Sequence, residues 1–479
     1  MMSIPFLHIQ RASRIPLSEQ IETQIVRAIR TRRMRAGQAL PTVRRLAASL
    51  GVSIETIQKA YSALKEEGWI ESRPRYGTTV SHTLPASLLM LSPKREEERG
   101  PFLSRIKEYK QADGFIPVSG ISLPPTDREF MRAFRQAGEE AVEGMFAAGE
   151  PGPFGLLPLR SRIQGLLAAR GCWTNIEDIC MVNGTQQALW LLADQIFKPG
   201  DAVAVPAMCY LPARDVFCDR GVRVISVPVG SEGMDMDTLE KICEKEKITA
   251  LYAMPNAHYP TGASWSVSTK QAVLGLARRF EFSIIEDEYF GELYYTSHPP
   301  STLYGMAEEW GEVPVFYMSS FSTIVHPNLR LGYMVLPKEY RERLQKAKYL
   351  LDGTTAVLSQ QLFLQVWDRV NFPGYMERKR EELRQARNAA MDSLQRRLPA
   401  EYTFHTPEMG VCTWVYAPQD FDSLGFFDAC LKRGVYVCPG DAFAVEDPIP
   451  GFQVKFGAVA PAVLDEGLRR IAEVLLFDR

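Results

Sequence analysis

Between Pro16 and Thr31 apolar residues recur at three- and four-residue steps. Leu17, Ile21, Ile25, Ala28 and Ile29 share one helical face, while Glu19, Glu22 and Arg27 stay on the wet side. The spacing predicts a core-facing helix. After the turn-rich Arg35-Ala36-Gly37-Gln38, Pro41-Thr42 opens a second helix with Thr42 as its expected N-cap and Leu46, Ala47 and Leu50 inward, and Gly51 ends it. Ser53 is placed to cap a third, in which Ile57, Ala60, Tyr61 and Leu64 point inward and Ser53, Thr56 and Lys59 share the outer side. Trp69 to Ser72, a turn at Arg73-Pro74-Arg75-Tyr76-Gly77, and Thr78 to Val80 read as a hairpin. A short helix, a glycine turn and a helix with polar residues at its start make a helix-turn-helix, and the hairpin makes its wing.

From His82 to about Gly114 no apolar period is sustained, and the passage reads as a linker. Beyond it the pattern changes. Near-continuous apolar runs at Ile179–Val182, Ala202–Pro206, Val222–Val229, Ala250–Met254, Ser283–Ile285, Val315–Met318 and Gly332–Leu336 alternate with helical stretches. Such runs are strands buried on both faces, so the expected class is α/β, a mostly parallel sheet with helices on both sides. Roughly 370–479 reads as a small α+β lobe, in which Val411 to Tyr416 alternates. The expected domains are therefore 1–81, a linker 82–114, and 115–479.

Charge sharpens this division. Residues 1–80 hold 13 Lys/Arg against 6 Asp/Glu, a net of +7, which leaves 42 against 51, or −9, for the rest. A basic head on an acidic body points to a polyanion partner for the head alone. No apolar run is long enough for a bilayer, and Met1 to Arg11 lack a secretory core, so the expected location is cytoplasmic and no membrane partner is expected. Eight cysteines without a CxxC pair or a histidine cluster nearby read as buried free thiols, with no metal site.

The stretch from Pro16 to Val80 resembles the winged helix-turn-helix of GntR-type regulators, through L-P-T-x-R-x-L-A-x-x-L-G-V-S and the G-W-I…R-x-x-G-T-x-V wing. The resemblance implies contacts to double-stranded DNA from Arg44, Arg45, Ser53, Thr56, Lys59, Arg73 and Gly77. In the body, Asn183-Gly184-Thr185-Gln186 follows a strand and begins a helix, a geometry that offers N–H groups to a phosphate. Asp287 and Tyr289 end another strand, and Ser320-Phe321-Ser322 and Arg330 add hydroxyls and a guanidinium. Together these resemble fold-type I pyridoxal phosphate enzymes from about Pro117 onward. That likeness implies that Gly184, Thr185, Gln186, Ser320, Ser322 and Arg330 hold the cofactor phosphate. It also implies that Tyr210 stacks on the ring, Asp287 pairs with the ring nitrogen and Tyr289 reaches the ring hydroxyl. A GntR-type head on such a body resembles the MocR-type regulators, and the fold-type I likeness implies a homodimer.

Three positions depart from the pattern. The loop usually reads S-F-S-K, with an arginine seven residues after the lysine that bonds the cofactor aldehyde; here Thr323 stands in the lysine's place, with Arg330 in register. A hydroxyl cannot replace a primary amine in that bond. The asparagine of N-P-T-G is Tyr259, and the arginine that clamps a substrate carboxylate aligns with Lys455. The expectation is a regulator without transaminase activity, binding a two-half-site operator. Its effector is a small molecule, pyridoxal phosphate or a derivative, held without a covalent bond. The alternatives are an active pyridoxal phosphate-dependent aminotransferase with a vestigial head, and a DNA-bound scaffold without a ligand.

Overall fold

The computed structural model describes Leu7, Ile9 and residues 16–30, 33–73, 77–81, 115–120, 123, 128–311, 313–446 and 449–477. The expected linker and the wing tip, 74–76, lie outside the described residues. The chain divides into two compact units, one of residues 1–115 with 418–434, the other of 116–417 with 435–479. Among the described residues, no helix is long and apolar enough to cross a membrane.

In the first unit, α1 (Leu17–Arg30), α2 (Val43–Leu50) and α3 (Ile54–Glu66) surround a core of Ile21, Ile25, Leu46, Ile57, Ala60, Leu64 and Trp69. Each helix buries the face its apolar spacing marks. Gly51 adopts the left-handed conformation at φ 63°, which turns the chain between α2 and α3. β1 (Ile70–Arg73) and β2 (Gly77–Val80) pair antiparallel, Ile70 opposite Val80. One cap differs from expectation. Thr42 occupies the N-cap of α2 but its side chain makes no capping bond. Ser53 does cap α3, its Oγ accepting the Thr56 N–H at 3.1 Å. Ser53→Ala is expected to speed exchange of the Thr56 amide about fivefold, the equivalent of ~1 kcal/mol, measured by hydrogen exchange of the full chain. An unchanged rate would show that the cap does nothing.

In the second unit seven strands form one sheet: β3 (Ile179–Val182), β4 (Ala202–Pro206), β5 (Arg223–Val227), β6 (Ala250–Ala253), β7 (Ser283–Asp287), β8 (Val315–Ser320) and β9 (Gly332–Val335). Their order is β3-β9-β8-β7-β6-β4-β5, with only β9 antiparallel to its neighbours. The expected run Val222–Val229 divides, because Val229-Gly230 leaves the sheet to pair with Gly233-Met234. A separate three-stranded antiparallel sheet places β12 (Gly451–Lys455) between β10 (Cys412–Tyr416) and β11 (Cys438–Pro439). β10 was expected to alternate between core and solvent, yet it is buried on both faces through Val415. No disulfide joins the eight cysteines, and all but Cys218 are buried.

Candidate functional site

Parallel strands deliver the loops at their carboxyl ends to one edge of a sheet, where ligands bind in folds of this kind. β3, β4, β6, β7 and β8 all end on that edge. Because β9 runs the other way, the same edge receives the loop that precedes it, and so Arg330.

The helix α4 (Thr185–Ile196) starts directly after β3, with Gly184 as its N-cap at φ 87°. A Cβ there would lie 2.9 Å from Arg330 Nη2, so the glycine is what lets the guanidinium lie against the helix start. Arg330 Nη2 donates to the Asn183 carbonyl at 2.6 Å. Thr185 is buried, and Gln186 donates through Nε2 to the Pro212 carbonyl at 3.4 Å while its buried Oε1 has no partner. Past β8, Ser320 Oγ donates to Ser322 Oγ at 2.9 Å and accepts the Ser322 N–H at 3.1 Å. A helix start, two buried hydroxyls and an exposed guanidinium together suit a phosphate.

Asp287, the last residue of β7, is 2 % exposed. Its Oδ2 accepts the Tyr252 hydroxyl at 2.9 Å and its Oδ1 is buried without a partner. Burial pushes this carboxyl up to about 7, against the pull of the Tyr252 bond. An acid with one orphaned oxygen asks for a cationic N–H, and a protonated pyridine supplies one. The orphaned Oδ1 and the cradle that a Cβ at residue 184 would fill thus fit a phosphorylated pyridine. Tyr289 lies on the same edge, its hydroxyl bonded to Ser322 and burial holding it protonated. Tyr210 stands edge-on to Tyr259 at 6.3 Å, and Tyr259 edge-on to Phe443 at 5.5 Å. Thr323, 5 % exposed, makes a single long bond from Oγ1 to the Tyr289 carbonyl, 3.5 Å. The sequence-predicted residues of the body from Gly184 to Arg330 are therefore gathered on this edge, and Lys455 sits in β12 opposite Cys412.

In the head, Ser53 and Lys59 are exposed and Thr56 half-buried on the outer side of α3; Arg44 and Arg45 are exposed on α2, and Gly77 opens β2 at φ 82°. The Arg73 side chain lies outside the described residues.

Residues 123–471 match the model of the aminotransferase class I and II family, and residues 17–80 match that of the bacterial regulatory proteins of the gntR family. The chain belongs to the aminotransferase class I and II family. It is a member with a GntR-type head. The uncharacterized HTH-type transcriptional regulator YisV of Bacillus subtilis is 25% identical over 97% of this chain and 96% of its own length. The 2-aminoadipate transaminase of Thermus thermophilus is 28% identical over 72% of this chain and 84% of its own. Among solved structures, the Thermus thermophilus α-aminoadipate aminotransferase LysN, complexed with N-(5′-phosphopyridoxyl)-L-leucine, superposes at TM-score 0.70 with 27% identity, covering 77% of this chain and 94% of that one.

Several contributors to this aminotransferase-like site escaped the sequence pattern. Asp352 accepts Asn183 Nδ2 at 3.0 Å and Gln187 Nε2 at 2.7 Å, and pairs with the buried Lys348 at 2.5 Å. Lys348 is thus tied through a carboxylate to the loop that starts α4. Below Asp287, Arg170 donates to Glu288 Oε2 and to the Tyr317 hydroxyl, both at 2.7 Å, while Glu286 accepts the Leu303 and Tyr304 N–H groups. Strand alternation turns these acids away from the face that Asp287 serves. Their pairs span more than 100 residues of sequence, or 17 and 18 in the case of Glu286, and no local spacing announces them.

Proposed function

We propose that this protein is a DNA-binding transcriptional regulator whose aminotransferase-like body senses a phosphopyridoxyl ligand, pyridoxal phosphate or a relative, without bonding it covalently and without transamination. What carries the reading is position 323: a threonine stands between Ser322 and the loop to Arg330, while the phosphate cup and the ring acid around it are kept. Pyridoxal phosphate, when bound, supplies an aldehyde on an electron-withdrawing ring, and covalent use of that aldehyde needs an amine that Thr323 lacks. The remaining residues bind and orient. Gly184, Thr185, Ser320, Ser322 and Arg330 hold the phosphate, Asp287 holds the ring N–H, and Tyr210 and Tyr289 fix the ring's plane and hydroxyl.

A two-fold dimer of such bodies presents two heads to paired half-sites, and the ligand acts to the extent that it favours one placement of the heads. Arg44, Arg45, Lys59 and Arg73 supply salt-dependent affinity, and the capped start of α3 reads base edges. The test pairs a thermal-shift titration with an absorbance spectrum before and after denaturation. Pyridoxal phosphate is expected to raise the melting temperature and to leave with denaturation, and duplex affinity is expected to fall steeply with salt. A borohydride-stable label on any lysine of the untreated protein overturns the reading in favour of a working transferase.

A further inference from the structure

The Tyr61 hydroxyl of α3 donates to the Pro41 carbonyl at 2.9 Å, which fixes α3 against the start of α2. The face of α3 that carries Ile57, Ala60, Tyr61 and Leu64 is buried. In a helix-turn-helix the start of the second helix meets base edges in the major groove while the first crosses the backbone, and the exposed Arg44 and Arg45 of α2 suit that crossing. The bases that a half-site must carry therefore depend on the side chains that the first turns of α3 leave outside the core.

Ile54, the first residue of α3, is 47 % exposed, and among the described residues of the head it is the one large apolar side chain that stands in solvent. Its neighbours narrow its role. The Ser53 and Thr56 hydroxyls bond to each other at 2.8 Å, and Ser53 Oγ also accepts the Thr56 N–H. Glu55 is exposed and, ionised, can only accept. Gln58, also exposed, follows Ile54 by four residues and shares its flank of the helix.

The first turn of α3 thus holds no lysine or arginine. Guanine shows two acceptors in the major groove, N7 and O6, and is read best by a bidentate cation. An isoleucine beside a carboxylate offers it no donor. Thymine instead shows a methyl group, and covering that methyl with an exposed aliphatic side chain takes both apolar surfaces out of water. Adenine shows N6–H and N7, the donor and acceptor that a glutamine amide matches.

We propose that Ile54 is a specificity-determining residue of the head, packing against the C5-methyl of a thymine in each half-site, with Gln58 placed for an adenine one helical turn further along α3. This rests on the DNA-binding reading above and names the class of operator within it: half-sites marked by A·T pairs at the start of α3 rather than by guanine.

Selection of bound duplexes from a randomised library by the full-length protein, followed by deoxyuridine scanning of the consensus, tests this. Deoxyuridine keeps the hydrogen-bonding edge of thymine and removes only the methyl. One thymine in each half-site is expected to lose about fourfold in affinity on that exchange, the worth of one covered methyl. Ile54→Ala is expected to bind the thymine and deoxyuridine duplexes alike at that position. Ile54→Arg, selected against the same library, is expected to replace the T·A pair there by G·C. Melting checks that both variants fold, and either one that does carries the test. Half-sites without thymine, no thymine sensitive to loss of its methyl, a sensitivity that folded Ile54→Ala retains, or a consensus that folded Ile54→Arg leaves unchanged overturns the proposal while DNA binding stands. Failure to enrich any sequence, together with a duplex affinity that does not respond to salt, overturns the DNA-binding reading and this inference with it.

Discussion

Thr323→Lys is expected to turn a reversible site into a covalent one. After incubation with pyridoxal phosphate, borohydride reduction and denaturation, the variant should retain close to one label per chain, on the peptide containing residue 323. The unaltered protein should retain less than about a tenth of that, a difference of at least 1.4 kcal/mol in the bound population. The geometry favours the exchange. Thr323 gives up only one 3.5 Å bond to the Tyr289 carbonyl, and its neighbour Ser322 already faces Tyr289. Burial would lower the new amine's pKa and the Asp287 carboxylate would raise it, leaving part of it neutral and nucleophilic. A larger side chain in a buried position costs about 1–3 kcal/mol of stability, so melting is measured alongside. A folded variant that acquires no label would show that residue 323 does not face the ligand, and the account of Thr323 as the missing attachment point would fall.

The head was legible almost residue by residue because its interactions are local. Ile21, Ile25, Ile57 and Leu64 lie where a 3.6-residue period puts them, and the Gly51 turn and Ser53 cap act within three or four residues of themselves. Thr42 is the exception: position, residue type and extended backbone all suited a cap, yet its side chain makes no capping bond. In the body the strands were legible from their apolar runs, and the residues proposed to hold the phosphate from glycine and hydroxyl positions next to them. The sheet edge then explains why residues 184, 287, 320 and 330 meet.

What stayed hidden were partners set by topology. Gln453 reaches Gly120 across 333 residues, and Asp352 reaches Asn183 across 169. An amide in a strand looks like any buried polar residue until the strand's neighbours are known.

Asp287→Asn is expected to move stability and affinity in opposite directions. The folded carboxyl titrates at about 7, against an ordinary value of 3.8. Between those two values the unfolded chain is ionised while the folded chain keeps its proton, so this residue's contribution to stability declines as pH rises through the window and is flat above it. The accumulated cost above pH 7 is about 4 kcal/mol as an upper figure. Asparagine carries no such cost, and its carbonyl still accepts the Tyr252 hydroxyl. The melting temperature of the ligand-free variant should therefore exceed that of the unaltered protein by several degrees at pH 8. The gap should shrink as pH falls through the window and close near pH 4. Affinity for pyridoxine 5′-phosphate should drop at least tenfold at pH 8, because a neutral amide replaces the charge-assisted bond to the ring nitrogen. A residue that merely holds the strand end in place would lower both quantities together. If the variant melts lower than the unaltered protein at pH 8, or binds the vitamer as tightly, Asp287 is not a ligand-directed acid kept at the expense of the empty fold.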